Sequence, residues 1–442
     1  MTAVDPKTAD FIDPVKFESV LIIAQDFPPI DIAPLVTDLD VFEHLDKPYL
    51  TAVLGFIDAQ DIVGAMNLSG GEEVHITVKG NLEDSTPISK NFFIDKIMTS
   101  SKIHENEEFF AIHLIEDIAF LSNTMNINKP YSGTTTEIIK KISREYLDTE
   151  IEVDTKDNHI TKVIVPNLSP IDAMCWIKNR TTTSQGYPFY LYSNLVEDKL
   201  QLRDLESIMS LGVMNNDVPY TYMESQTAVE DDTSRRRIIK NYEAKNTYDM
   251  YRLIDEGLLG SEYQYIDLIK PKHDDSGKRT DHKFKFDIDK EVIEKMSADG
   301  VIKTTPLYDS SRYPWAESKV NSRKITRIGS SNVFADIKSL SERSESSQYK
   351  LNEVSRAMAQ LLTTDAMSFV VNGVDFLNGE ASTTIGNKLK ILFLRNAIDD
   401  HDRKYDYKKS GDYMIFACKH SFTPTEYTLT FSGVKLSNGD VE

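Results

Sequence analysis

Cysteine is scarce in this chain of 442 residues, which contains only Cys175 and Cys418. The two lie far apart, in segments of different character, so we predict free thiols in a reducing cytoplasm and no disulfide framework. Long apolar runs are also missing, because no stretch approaches the roughly 18 residues that a membrane span requires. The acidic first residues, MTAVDPKTADFIDP, lack the apolar centre of a signal peptide. The sequence therefore predicts a soluble, cytoplasmic protein of several domains.

Motifs of the common catalytic and cofactor sites are absent as well. The sequence has no G-x-S-x-G, no G-x-x-x-x-G-K-[ST] and no G-x-G-x-x-G. Its nine histidines show neither H-x-H nor H-x-x-x-H spacing, and two cysteines cannot build a zinc site unaided. Glu105, Glu107 and Glu108 could be the carboxylates of a hydrolase, but a charged hairpin tip is the commoner meaning of such a cluster. We predict that the protein is not an enzyme, with no catalytic, cofactor-binding or metal-ligating residue.

Basic residues are fewer than acidic residues in this chain. The 50 Lys and Arg residues stand against 70 Asp and Glu, which gives a net charge of −20. This sign opposes the phosphates of nucleic acids, so sequence-specific binding of DNA or RNA is not expected. The proportions of hydrophobic and charged residues are ordinary for a globular protein, and the length predicts two to four domains.

Residues 1–122 have the pattern of an antiparallel β-domain. Val74, Ile76 and Val78 alternate with polar residues, which predicts a strand with one buried face. The run YLTAVLGFID, which ends at Asp58, is apolar on both faces and should be covered on both sides. Several short strands at close spacing, with little helix, favour a barrel or a sandwich.

Residues 123–215 change to a mixed pattern of helices and strands. Thr134 and Glu137 form a capping-box signature ahead of an apolar helical face. Ser169 and Pro170 predict the N-cap and the first turn of a second helix. The runs YPFYLYSNL and KLQLRDL that follow predict a hairpin. We therefore expect a small α/β domain here.

The remainder of the chain divides into three predicted parts. Residues 216–278 should begin a second β-domain, residues 279–349 should form a loop-rich insertion, and residues 350–442 should complete the second β-domain with a C-terminal tail. The apolar pattern of the last part predicts an amphipathic helix and four strands. The pattern of these strands is similar to that at the N-terminal end. We expect an α+β fold, mainly β, in which the two ends form separate, superposable antiparallel barrels with smaller α/β domains inserted.

Two segments carry the most specific motifs. In residues 30–58, a strand pair contains the tripeptide PYL ahead of the apolar strand described above. Residues 165–209 combine a Ser-Pro helix start, a helix with a tryptophan, the strand YPFYLY and the closing run LRDLESI. The signature residues in these segments are Pro48, Tyr49, Leu50, Ser169, Pro170, Trp176, Arg203, Leu205 and Glu206.

These motifs resemble those of the baseplate central hub proteins of T-even-type contractile-tailed phages. Two further segments are similar to the same family: residues 241–270, with a Tyr-rich strand, a helix, a Gly turn and a second strand, and residues 411–434, a closing hairpin. Residues 275–349 match nothing in the family. The matching motifs are packing motifs, so the resemblance implies a fold and transfers no catalytic residues.

The resemblance implies two tail-tube-like β-barrels in each chain, with other domains inserted around them. Three chains would form a homotrimeric, pseudo-sixfold ring that connects the tail spike protein to the tail tube and to baseplate wedge proteins. Genomic DNA would pass through its negative lumen without specific binding. The protein would lie in the tail baseplate of the virion after assembly in the host cytoplasm. The alternatives are a tail-tube initiator or other baseplate component, and a tail-associated hydrolase.

One strand links these expectations to an assembly contact. A barrel buries one face of each strand, whereas the strand that follows PYL is apolar on both faces. We therefore expect it to lie at a subunit or domain contact, with Leu54 and Phe56 as the suspected contact residues.

Overall fold

The β-strands of this computed structural model form where apolar and polar residues alternate. In the strand Glu73–Lys79, Val74, Ile76 and Val78 are buried and the residues between them are more exposed, as predicted. The structure describes residues 15–80, 87–155, 160–222, 234, 236–246, 250–258, 260–267, 272–273, 275–277, 279–280, 282–298, 323–329, 345–377, 384–394, 405–406 and 409–437. Strands predominate over helices in these residues, which confirms the mainly β class.

The strands are numbered in chain order. They are β1 Lys16–Ile23, β2 Ile30–Asp31, β3 Val36–His44, β4 Thr51–Asp58, β5 Glu73–Lys79, β6 Ile88–His104, β7 Glu107–Glu116, β8 Pro130–Thr134, β9 Ile151–Asp154, β10 Ile160–Ile164, β11 Phe189–Tyr192, β12 Leu200–Asp204, β13 Tyr220–Tyr222, β14 Asn241–Asn246, β15 Ser261–Asp267, β16 Lys272–His273, β17 Arg279–Thr280, β18 His282–Phe286, β19 Lys324–Gly329, β20 Asp365–Asn372, β21 Lys388–Phe393, β22 Gly411–Phe422 and β23 Tyr427–Ser437.

The helices are fewer and mostly short. They are α1 Ile62–Ala65, α2 Asp117–Ser122, α3 Thr135–Tyr146, α4 Pro170–Lys178, α5 Leu205–Ser210, α6 Met250–Asp255, α7 Glu294–Ala298 and α8 Glu345–Thr364, with a π-helical turn at Asp289–Ile293 and 3-10 turns at Ala33–Leu35 and Val374–Phe376. Among the described residues, none of them is both long and apolar enough to cross a membrane.

One large sheet contains strands from both ends of the chain. Its order is β14-β20-β23-β22-β3-β4-β7-β6-β5-β1-β2, and every pair along this path is antiparallel. The strand β21 also pairs with β22 and carries β13 alongside it in parallel.

The pairing of β3 with β22 corrects the prediction of two separate barrels. Leu39 lies opposite Phe422 and His44 lies opposite Ala417, so the N-terminal and C-terminal strands belong to the same sheet. Among the described strands, the pairing does not confirm two closed barrels, although Thr221 of β13 also bridges to Ile238, just ahead of β14. The alternation of apolar and polar residues could not predict the β3–β22 pair. It indicates which face of a strand is buried, but a strand from either half of the chain can pair with the same edge.

Two hydrophobic cores nevertheless underlie the one sheet. The N-terminal core packs β1 and β3 to β7, and it also receives Phe422 and Tyr427 from the C-terminal strands. The C-terminal core packs β20 to β23 with α8, and it receives Leu45 from the N-terminal half. The halves therefore share side chains across the β3–β22 pair as well as backbone hydrogen bonds.

The α/β region between the halves forms as the sequence predicts. Thr134 and Glu137 make the capping box of α3, and Ser169 caps α4 with Pro170 in its first turn. The strands β11 and β12 form the predicted hairpin, and β12 also pairs with β9 in parallel. These elements pack around a third core, which we call the α/β module core.

The C-terminal predictions are confirmed where they can be checked. The helix α8 and the strands β20 to β23 form at the positions of the expected helix and four strands. The strands β18 and β19 flank β15 in a small separate sheet. The rest of the predicted insertion at residues 279–349 lies largely outside the described residues, and the predicted domain boundaries stay predictions.

Candidate functional site

The candidate site lies at the β3–β22 pair, which we call the seam. Cys418 and His420 are two residues apart on β22, so their side chains lie on the same face of the sheet. The register places Glu43 of β3 directly opposite Cys418. This face points inward, where Cys418 belongs to the C-terminal core and the next residue of the same face, Phe422, belongs to the N-terminal core. The seam thus brings three metal-ligating side chains to the meeting point of the two cores.

The three side chains contact one another closely. The Cys418 thiol donates to Oε2 of Glu43 at 3.2 Å, and Oε1 of Glu43 lies 3.3 Å from Nε2 of His420. The Cys418 Sγ is also 3.4 Å from Nε2 of His420. Nδ1 of His420 is 2.7 Å from the Tyr427 hydroxyl, and the Leu195 amide donates to Oε1 of Glu43 at 2.5 Å. All three ligand candidates are buried.

Burial sets the protonation states of this cluster. Burial by itself would raise the pKa of Glu43, but the charge and hydrogen bond of His420, with hydrogen bonds from Leu195 and Cys418, hold that pKa below its usual value. Burial and the neighbouring carboxylate raise the pKa of the Cys418 thiol well above its usual value. At neutral pH the structure therefore favours an ionised Glu43 beside a protonated thiol.

Close packing fixes the position of Tyr427. Its ring stacks on Phe422 with centroids 4.5 Å apart, and its carbonyl accepts a hydrogen bond from the Gly373 amide at 3.2 Å. A Cβ atom at Gly373 would lie 2.3 Å from this ring, a distance that requires the ring or the backbone to shift. The hydroxyl that meets His420 is therefore held by its surroundings.

The seam cluster is a finding that the sequence did not predict. In the part of the chain that the structure describes, Glu43, Cys418 and His420 are the residues grouped closely enough to hold a metal ion. The Cys-x-His spacing on β22 was the available signal. The third residue could not be found from spacing, because 375 positions separate it from Cys418.

A second buried carboxylate holds the segment that leads into β4. Oε2 of Glu116, at the end of β7, accepts from the Leu50 amide at 2.7 Å, and its Oε1 accepts from the Ser193 hydroxyl at 3.2 Å. The Ser193 amide in turn donates to the Lys47 carbonyl at 3.2 Å. Burial raises the pKa of Glu116 to about 7, although the Lys90 ammonium and these hydrogen bonds act in the opposite direction. Glu116 thus joins the sheet to the α/β region and titrates near neutrality.

The signature residues of the PYL motif lie in the segment that leads into β4, where Glu116 binds the Leu50 amide. Pro48 and Leu50 are buried, while Tyr49 is half-buried and packs against the α/β module core. The motif therefore positions β4 between the sheet and the α/β region. Its role as a family signature stays a prediction.

The signature residues of the second segment also have packing and capping positions. Ser169 and Pro170 are buried at the start of α4, and the Arg180 guanidinium lies 4.0 Å from the ring centroid of Trp176. In the closing run, Asp204 caps α5 by accepting from the Ser207 amide at 2.8 Å. Of the remaining signature residues, Leu205 is buried and Arg203 and Glu206 are half-buried.

The suspected contact residues lie inside the chain. Leu54 and Phe56 are completely buried in the N-terminal core, so neither can touch another subunit directly. The opposite face of β4, with Val53 and Ile57, is partly exposed. That face, rather than Leu54 and Phe56, is available for a partner, and a subunit contact at β4 stays a prediction.

The carboxylates that could have indicated a hydrolase lie at a hairpin tip. Glu105 occupies the turn between β6 and β7, and Glu107 and Glu108 begin β7. This arrangement agrees with the preferred interpretation of the cluster as a charged tip. His113, farther along β7, pairs with Asp95 at 3.0 Å at a partly exposed position.

A recess of about 450 Å³ lies between the α/β region and α8. Four cationic and two acidic side chains line it, and they form two close ion pairs: Lys178 pairs with Asp46, and Glu353 lies 2.7 Å from Nε of Arg327. Among the described lining residues, both carboxylates are thus paired with cations.

No known protein family matches the sequence, and no curated protein matches it either. Solved structures are similar to this chain. The 43-kDa tail protein of prophage MuSo2 from Shewanella oneidensis aligns with 94% of this chain and 98% of its own, at a TM-score of 0.52 and 9% identity. The tail protein from Neisseria meningitidis MC58 aligns with 97% and 99%, at a TM-score of 0.49 and 11% identity.

A third similar structure is the E. coli c3393 protein, described as a component of the type VI secretion system that resembles the T4 tail proteins gp27 and gp5. It aligns with 95% of this chain and 77% of its own, at a TM-score of 0.43 and 10% identity. The fold assignment rests on the MuSo2 protein. The chain therefore has the fold of a phage tail protein, which confirms the predicted resemblance at the level of fold.

Proposed function

We propose that this protein is a structural subunit of a phage tail and forms the central hub of the baseplate. The observation that carries this proposal is the similarity to the MuSo2 tail protein over nearly the full length of both chains. The signature segments at residues 30–58 and 165–209 support the hub in particular, because they resemble the hub family.

The two ends of the large sheet are one proposed link between the subunits of a ring. Among the described strands, the path ends at β14, ahead of which Ile238 bridges to Thr221 of β13, and at the two-residue strand β2 beside β1. Strand edges pair readily with other chains, and two unlike edges on one subunit pair head to tail. We propose that three copies close in this way as a homotrimer, in which the two halves of each chain give a pseudo-sixfold arrangement.

The outer face of the seam region is a second proposed subunit contact. Phe42 of β3 is 38% exposed, and Val53 and Ile57 of β4 are partly exposed on the same face. Burial of the Phe42 ring against a neighbouring subunit would contribute favourably to association.

The proposed partners follow from this position in the particle. The ring would contact a tail spike protein on one side and the tail tube and wedge proteins on the other, in the baseplate of the virion. A net charge of −20 would repel DNA phosphates and let the genome pass without adhering. Assembly in the host cytoplasm fits the two unpaired cysteines.

The mass of the purified protein tests the proposal. Size-exclusion chromatography with light scattering should give three times the mass of the chain, and cryo-electron microscopy should show a threefold ring with a central channel. Phe42→Asp should yield folded monomers. Leu121→Ser, which changes an apolar residue of similar exposure (44%) on α2, should remain trimeric. A wild-type monomer at every concentration would refute the ring, and an open-ended series of sizes would favour a tube protein instead.

A further inference from the structure

We propose that Glu43, Cys418 and His420 bind a zinc ion that ties the two halves of the sheet together. This proposal stands on the seam geometry alone and does not depend on the proposed function. A thiolate, an imidazole and a carboxylate are the three side-chain donors that zinc uses in proteins, whereas magnesium and calcium prefer oxygen ligands.

The spacing of the donor atoms fits a shared ion. Zinc bonds of roughly 2.0 to 2.3 Å at tetrahedral angles put neighbouring ligand atoms about 3.3 to 3.6 Å apart. In the seam cluster the contacts are 3.2 Å from Sγ of Cys418 to Oε2 of Glu43, 3.3 Å from Oε1 of Glu43 to Nε2 of His420, and 3.4 Å from Sγ to Nε2. One ligand atom from each of the three residues lies within 4.8 Å of the other two. Small movements of side chains would place all three donors at bonding distance from one point.

Without a metal, two hydrogen bonds hold the cluster together. The thiol of Cys418 has one proton, which it donates to Glu43, and Nε2 of His420 has at most one proton, for which Glu43 is also the acceptor. The contact between sulfur and Nε2, at 3.4 Å, is then a van der Waals contact. A divalent ion would replace both protons and attract all three donors to one point.

Neighbouring groups orient the proposed ligands by hydrogen bonds, as they do in known metal sites. With Nε2 directed to the ion, Nδ1 of His420 can donate to the Tyr427 hydroxyl at 2.7 Å, which fixes the tautomer and the ring. The Leu195 amide orients the carboxylate of Glu43. Since the site is buried, the ion would bind as the chain folds and would release the thiol proton in doing so.

Cobalt offers a direct test, because a thiolate bound to Co²⁺ gives a charge-transfer band and tetrahedral cobalt gives visible d–d bands. The full-length protein, produced in medium supplemented with Zn²⁺ or with Co²⁺ and purified without chelator, should contain one ion per chain by mass spectrometry. The cobalt form should show both kinds of band. Wild-type protein with no stoichiometric ion and no thiolate band would overturn the proposal and leave a hydrogen-bonded network only.

Variants locate the site. Cys418→Ser should abolish the thiolate band, and Tyr427→Phe should weaken metal binding by about tenfold or more. Cys175→Ser is the matched control, since it changes the other cysteine of the chain and should leave metal content and spectrum unchanged. A band that survives Cys418→Ser but disappears in Cys175→Ser would refute the assignment. Because wild-type metal content decides the question by itself, the test does not depend on whether Cys418→Ser folds.

Discussion

Glu116 should make the folded protein less stable as the pH rises from acid to neutral values. Its pKa is raised from 4.5 to about 7 because the carboxyl group is buried between Leu50 and Ser193. A raised pKa means that the folded state prefers the protonated form. This preference contributes fully below the pKa of the unfolded chain and is lost as the pH rises through the folded pKa. The contribution therefore disappears between about pH 4.5 and about pH 7.

The magnitude follows from the shift. Each unit of pKa difference corresponds to about 1.4 kcal/mol, so a shift from 4.5 to about 7 corresponds to about 3 kcal/mol. Glu116→Gln removes the titration and keeps the geometry, because the amide oxygen can accept from the Leu50 amide and the amide nitrogen can donate to the Ser193 hydroxyl. The variant should match the wild type near pH 4.5 and exceed its unfolding free energy at pH 8 by up to about 3 kcal/mol.

Urea unfolding followed by tryptophan fluorescence measures this difference. Glu108→Gln is the matched control, because Glu108 is an exposed residue of the same strand and its change should leave the pH profile intact. Glu43 has the opposite effect, because its lowered pKa contributes stability that is lost as the pH falls. Since Glu43 is present in both the wild type and Glu116→Gln, its contribution cancels when their unfolding free energies are subtracted. An equal difference between wild type and Glu116→Gln at pH 5 and at pH 8 would refute the reasoning.

Two further pairs of variants test the packing. Leu54→Ala should lower the unfolding free energy by about 2 to 5 kcal/mol, because Leu54 is completely buried. Phe42→Ala should lower it by less, because Phe42 is partly exposed. Similar losses for the two variants in urea unfolding would contradict the assignment of the two faces. Gly373→Ala should cost about 1 to 3 kcal/mol through displacement of Tyr427, whereas Gly212→Ala, whose new methyl group meets no atom within 4 Å, should be nearly neutral. Equal thermal midpoints for the two glycine variants would show that the ring adapts freely.

The features of the fold that could be predicted depend on residues that are close together in the sequence. The capping box of Thr134 and Glu137 depends on residues three positions apart, and the burial of Val74 and Ile76 depends on residues two positions apart. The hairpin of β11 and β12 is likewise local. Such features can be found in a sequence because the interacting groups are close along the chain.

The seam was not predictable in the same way. Its partners are separated by hundreds of residues, and strand alternation does not specify which strand pairs with which. One signal was nevertheless present. Glu43 follows Leu39 and Val41 on the buried face of β3, so a carboxylate occupies a position where alternation predicts an apolar side chain. A charged residue in such a position is either partnered or functional, because its burial alone is costly.

The same polar cluster explains how the seam acquires a unique register. A shift by one residue would move Glu43 to the outer face and bring Phe42 inside, which the two cores exclude. A shift by two residues keeps the faces and exchanges apolar residues such as Leu39 and Val41, so apolar packing discriminates against it only weakly. That shift removes Cys418 from its place opposite Glu43, and a buried charge that loses its partners costs about 3 to 5 kcal/mol. The side chains that look least suited to the interior therefore determine how the two halves of the sheet align.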